Sequence, residues 1–152
     1  MATNDDWLAK TPEETLEPDL PICDPHHHFW GEGIEPAAKF RNDQVEARYL
    51  LDELLADINS GHNIVSTVFI ECASMYRADG PSELRPIGET EFVNGVAAMS
   101  ASGHYGKTRI AAGIIGFADL NLGSSVAPVL EAHIAAGGGR FRGIRHAAAW
   151  DA

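Results

Sequence analysis

The chain has 152 residues, 45% of them hydrophobic, and a formal net charge of -11. That length suits one globular domain with a core large enough to hold it folded, and the acidity argues against nucleic acid or an anionic membrane as partner, because both demand a basic surface. The strongest apolar stretches, Ile64 to Ile70 and Ile110 to Phe117, are too short to cross a bilayer, and Met1 to Pro21 lacks the basic start and apolar centre of a signal peptide, so the expected location is the cytoplasm.

Residues 1–20 are acidic and polar and read as a loosely held arm, in which Trp7 and Leu8 can still dock on a surface; residues 21–152 read as the folded domain. Ile22 to Phe29, bounded by Pro21 and Gly31, predicts a strand. Val45 to Ser60 carries Leu50, Leu51, Leu54, Leu55 and Ile58 at helical spacing and stops at Gly61. The β-branched run Asn63 to Cys72 predicts a second strand, and Phe92, Val93, Val96 and Met99 mark a second helix ending near Gly103. Arg109 to Asp119 reads as a third strand. A third helix is expected from Ser124 or Ser125, with Pro128 in its first turn, Val126, Val129, Leu130 and Ile134 buried, and Gly137 to Gly139 as its stop. Arg140 to Ala147 completes a fourth strand. Cys23 and Cys72 fall in or at the end of predicted buried strands, which points to reduced thiols rather than a disulfide framework.

The alternation of four strands with three helices predicts an α/β fold of parallel strands. Periodicity alone leaves an open doubly wound sheet and part of a (β/α)8 barrel in competition. The turn after the first strand, "HHHFWGEG", lacks the GxGxxG spacing that surrounds a pyrophosphate with backbone amides, which argues against a dinucleotide-binding oxidoreductase.

The chemistry is concentrated in "ICDPHHHFW", residues 22–30. Side chains alternate along a strand, so Asp24, His26, His28 and Trp30 are expected on one side and His27 on the other. Two imidazoles two residues apart can converge on one divalent cation, zinc being suited to neutral imidazole nitrogen. Elsewhere, Glu71 at the end of the second strand is a candidate ligand, base or substrate contact, or simply a carboxylate bonded to the following loop. Arg145 and His146 end the fourth strand on opposite faces, so only one can point inward; a guanidinium there would either grip a carboxylate of the substrate or form a structural salt bridge. His62, His104 and His133 read as helix-end or surface histidines, Asp119 as a cap of the next helix, and Ala73 to Glu89 as a long loop able to form part of a lid.

"DPHHHFW" resembles the DxHxHxW opening of the amidohydrolase-related family, the dicarboxylate and sugar lactonase-like branch of the amidohydrolases. "FIECASMYRADGP", "GETEFVNGVAA", "GIIGFADL" and "GGRFRGIRHAAAWD" are similar in order and spacing to later segments, so the likeness runs from Ile22 to Ala152. The resemblance implies a (β/α)8 barrel hydrolysing a small lactone or related carbonyl compound through metal-activated water. His26 and His28 match the metal-binding pair of the first strand, and Arg145 matches a strand-end arginine facing an acidic substrate, which favours it over His146 as the inward residue. It also admits a metal-independent lactonase and a decarboxylase.

A barrel of this class takes about 250 residues. The sequence is therefore expected to hold the N-terminal half, about four parallel strands and three helices, without the later-strand ligands and general base. Self-association or a missing C-terminal half would then complete it, or the chain would be a noncatalytic fragment or assembly partner.

Overall fold

The computed structural model describes residues 9–31 and 48–147. Residues 1–8, with Trp7 and Leu8, the predicted helix start at 45–47 and the segment 148–152 lie outside the described residues. In chain order the elements are β1 (Ile22–His27), α1 (Leu51–Ile58), β2 (Ile64–Ile70), a 3-10 turn at Ser82–Leu84, α2 (Ile87–Ala101), β3 (Arg109–Gly116), a 3-10 segment at Leu120–Val126, α3 (Ala127–Ala136) and β4 (Phe141–Ile144).

All four strands are parallel and lie in the order β1-β2-β3-β4. That sequential order resolves the choice left by periodicity, since a doubly wound sheet reverses direction from its first strand. The helices also keep to one face. Leu51, Leu54 and Ile58 of α1 and Val93, Val96 and Ala97 of α2 share one core with Phe29, Phe69, Ile110 and Ile114, while Val129 of α3 meets Ile87, Ala118 and Ile144. A parallel sheet in chain order with its helices on a single face is the arrangement of half a (β/α)8 barrel.

Register shifts occur in every strand pair, and two of them bear on the site and its support. Asp24 pairs with Thr67 but His27 with Phe69, so β1 carries one extra residue there, and the Asp24 carboxylate accepts the His26 backbone N–H across the bulge at 3.0 Å. Strict alternation therefore fails for Asp24, which is out of phase with His26 and His28. In β3, Ser66 pairs with Arg109 and Val68 with Gly113, leaving two extra residues around Ala111, whose φ is +49°. This backbone turn aims the Ala111 N–H at Thr67 Oγ1, 2.9 Å away.

The helix-facing side of the sheet also buries histidines. His27 packs edge-on against Phe29 and Phe69, with Nε2 2.9 Å from Thr67 Oγ1. His133 is not a surface residue as its sequence suggested: it is fully buried, its Nε2–H donates to Phe117 O at 2.8 Å, Nδ1 lies 2.8 Å from Thr90 Oγ1, and its ring stacks on Phe141. The cause is helical geometry. His133 lies four residues after the buried Val129, whereas Ile134, expected inside, is turned about 100° further and is 61% exposed. Met99 is likewise exposed, and so is Cys23; Cys72 is half-buried, and both are free thiols.

α2 begins at Ile87, earlier than the apolar pattern indicated, because the buried stripe of Val93, Val96, Ala97 and Ser100 continues backward through the polar Glu89 and Thr90. The preceding loop is correspondingly shorter than Ala73 to Glu89. α3 is preceded by a 3-10 segment kinked at Gly123, with Asp119 capping it by accepting the Asn121 N–H at 2.9 Å, as its place after the third strand suggested. Among the described residues no helix is long and apolar enough to cross a membrane.

Burial holds the His27 imidazole down at about pKa 4, against 6.5 for a free histidine. The folded value lies below the unfolded one, so this stabilisation is whole above about pH 6.5 and is lost as pH falls towards 4, by about 3 kcal/mol in full. Urea unfolding from pH 7 to pH 4 is expected to show this loss, and His27→Phe, which cannot take up a proton, to flatten the slope. Gly116 gives a second expectation. A Cβ there would lie 2.8 Å from the pinned His133 ring, so Gly116→Ala should lower stability by about 1–3 kcal/mol, read as a drop in Tm with the circular dichroism unchanged.

Candidate active site

His27 and Phe29 enter the core, so the intervening His28, and His26 with it, stand on the face away from the helices, at the carboxyl end of β1. Their Nε2 atoms are 3.1 Å apart and their rings meet edge to face. His28 Nδ1 lies 2.8 Å from the Ile70 carbonyl oxygen of β2. That oxygen can only accept, so Nδ1 carries the proton and Nε2 is left with its lone pair. Burial, together with the nearby His26 and Arg145, lowers the His28 pKa and keeps the ring neutral.

Two nitrogens each 2.0–2.1 Å from a tetrahedral zinc lie about 3.3 Å apart, close to the spacing of this pair. A backbone carbonyl behind the far nitrogen of a ligating histidine is the usual outer support of such a ligand. The two imidazoles thus fit half of a tetrahedral ligand set. Among the described residues no group of three or more histidine, cysteine, aspartate or glutamate side chains is placed to hold a metal ion, so the pair has no third partner there.

Arg145 reaches across from the end of β4 to the end of β2. Its Nε–H donates to Glu71 Oε1 at 2.7 Å and its Nη2 donates to the Glu71 carbonyl oxygen. Both residues bear on the His28 charge, Arg145 against protonation and Glu71 in its favour, and Glu71 directly follows Ile70, whose carbonyl oxygen holds His28. Of the two readings open for Arg145, the salt bridge is present; Nη1 takes no part in it. The Thr67 and Phe69 row on which Glu71 falls by alternation packs against the helices rather than forming an interior, yet the Glu71 carboxylate, nearly buried, turns to meet Arg145.

The structure brings His26, His28, Glu71 and Arg145 together at the carboxyl ends of β1, β2 and β4. It leaves out the others. His146 Nδ1 accepts the Leu120 N–H at 2.9 Å, His62 and His104 are exposed on connections, and Arg77 pairs with Glu91. One residue escaped sequence reasoning: Glu89, 1% exposed in the first turn of α2, whose Oε1 accepts the backbone N–H groups of Ser74 at 2.7 Å and Cys72 at 3.1 Å. Its signal was the helical period itself, since counting back four residues from Val93 reaches it.

A double-mutant cycle of Glu71→Gln and Arg145→Gln, followed by urea unfolding, is expected to give a coupling of about 1 kcal/mol, each single change costing more than its share because it strands a half-buried charge. Compared with protein-family models, with curated proteins and with solved structures, the chain matches none of them.

Proposed function

We propose that this chain carries the first part of the active site of a cytoplasmic hydrolase of the amidohydrolase-related kind, acting on a small lactone or related carbonyl compound. The observation that supports it is the convergence of His26 and His28 Nε2 at 3.1 Å with the His28 tautomer set by the Ile70 carbonyl. His26 and His28 would hold a divalent metal, with zinc favoured, at the end of β1 where barrel enzymes build their sites. When bound, such an ion polarises a carbonyl and makes water acidic enough to attack at neutral pH.

The chain's own residues would do the rest of their share by position. Arg145, held by Glu71, presents a fixed positive charge beside the imidazoles, suited to orienting a carboxylate-bearing substrate. Glu71 would hold that guanidinium rather than act as the base, because one of its oxygens is already engaged. The remaining ligands and the proton acceptor would come from outside the described residues, through a second copy of the chain or further polypeptide. A second reading, an assembly partner with no turnover of its own, draws on the lack of a third ligand among the described residues.

Zinc titration of the purified chain, with its oligomeric mass measured in the same samples, tests the proposal. Binding should weaken at least about tenfold in His26→Ala and in His28→Ala and stay unchanged in His62→Ala. Absence of zinc binding in a folded chain would remove the metal reading. Zinc binding with acid release from simple lactones supports the hydrolase, and zinc binding without it supports the assembly partner.

A further inference from the structure

Glu89 is buried among polar atoms that none of the chemistry above uses. The amides of Cys72 and Ser74 both point at its Oε1, and the residue between them, Ala73, has φ +61°. Amides on either side of a left-handed residue form a concave nest that binds an anion. Here the acceptor is supplied by the chain itself, as the Glu89 carboxyl oxygen. Met75, two residues on, is also left-handed at φ +54°. Neither residue is glycine, so both conformations are strained and the turn needs an external hold.

Gly88 shows how closely that hold is fitted. A Cβ at Gly88 would lie 2.5 Å from the Met75 carbonyl oxygen and 2.8 Å from the Arg77 nitrogen, so the first turn of α2 is pressed directly on the turn after β2. At its other end the turn begins with Glu71, whose N–H donates to Ile115 O at 2.8 Å and whose carboxylate takes Arg145. Cys72 Sγ donates to Phe29 O at 3.2 Å, one residue beyond His28. The turn therefore touches both halves of the candidate site.

We infer that Glu89 is a positioning residue: clamped between the Cys72 and Ser74 amides, its carboxyl group locks the turn after β2 and so fixes Glu71 against Arg145 beside His28. This rests on the site as read above, but Glu89 itself touches neither imidazole. Its other oxygen, Oε2, and Ser74 Oγ are both buried without a partner among the described residues. The titratable and charged groups around it are Glu71, itself paired with Arg145, the Cys72 thiol and the Tyr76 phenol. Nothing among them compensates a second negative charge directly, and burial, reinforced by Glu71, pushes the Glu89 carboxyl up to about 7. The locked turn thus favours neutral Glu89. The sign follows: locking is strongest below the ordinary carboxylate range and weakens as pH rises through 7.

The test uses the metal-free chain, so it does not depend on zinc being the ligand. In a Cys23→Ser background, labelling of the half-buried Cys72 by iodoacetamide reports opening of the turn, and solvent exchange of the Arg145 Nε–H, followed by NMR, reports the contact with Glu71. Glu89→Ala removes the acceptor and should speed both at least tenfold at pH 6. Glu89→Gln keeps an oxygen for the two amides and cannot ionise, so it should restore slow labelling and slow exchange. Because Glu89 also bears on the Cys72 thiol, the pH dependence is read at the Arg145 Nε–H, where the ratio of parent to Glu89→Gln exchange rates should rise about tenfold between pH 6 and pH 8. A flat ratio, or Arg145 Nε–H exchange in Glu89→Ala equal to that of the parent, would overturn the inference. If Glu89→Ala does not fold, Glu89→Asp, whose carboxyl is one methylene short of the Cys72 and Ser74 amides, replaces it in both readouts, with the same results expected and the same result overturning the inference.

Discussion

A strand can offer only alternate residues to each of its faces, and the run of His26, His27 and His28 is where this chain feels that constraint most. One imidazole is committed to the core, against Phe29 and Phe69, and its two neighbours are thereby committed to the opposite face, within 3.1 Å of each other. The bulge between Asp24 and His27 sets the phase, and the Asp24 carboxylate braces it through the His26 amide. Shifting the register by one residue would exchange the buried ring for the exposed pair and empty the site.

The core on the helix side is knit by polar groups as well as by apolar contact. His27, Thr67 and the Ala111 amide tie β1, β2 and β3 in one chain of contacts, and Thr90, His133 and the Phe117 carbonyl tie α2, α3 and the end of β3 in another. Each such contact is worth little net, but the cost of breaking one is the full desolvation of what is left behind. They specify how the layers meet, which Leu and Val alone would leave loosely determined. The tight seats for His133 over Gly116, and for the Met75 carbonyl over Gly88, belong to the same design.

The strand ends then inherit this order. Arg145, Glu71 and the histidines are carried by three different strands, and the turn after β2 connects them through Cys72 and Ser74 to the buried Glu89. Rigid elements below and a clamped turn above place four polar side chains in one neighbourhood.

The sequence by itself determined the element types and order, the parallel α/β class and the histidine pair, because hydrophobic period and strand alternation are local properties legible in a few neighbouring residues. Alternation also shows that only one of Arg145 and His146 can face the candidate site; that it is Arg145 is settled by the packed structure, where the guanidinium meets Glu71. Strand order, the single helix-covered face and the bulges depend on which strand lies beside which, and no local pattern encodes that. The burial of His133, the exposure of Ile134, Met99 and Cys23, and the clamp formed by Glu89 likewise required the packed structure, since each is settled by a partner more than ten residues away or by its absence. Polar residues that fill a core position look, in sequence, like polar residues anywhere; only their neighbours in space distinguish them.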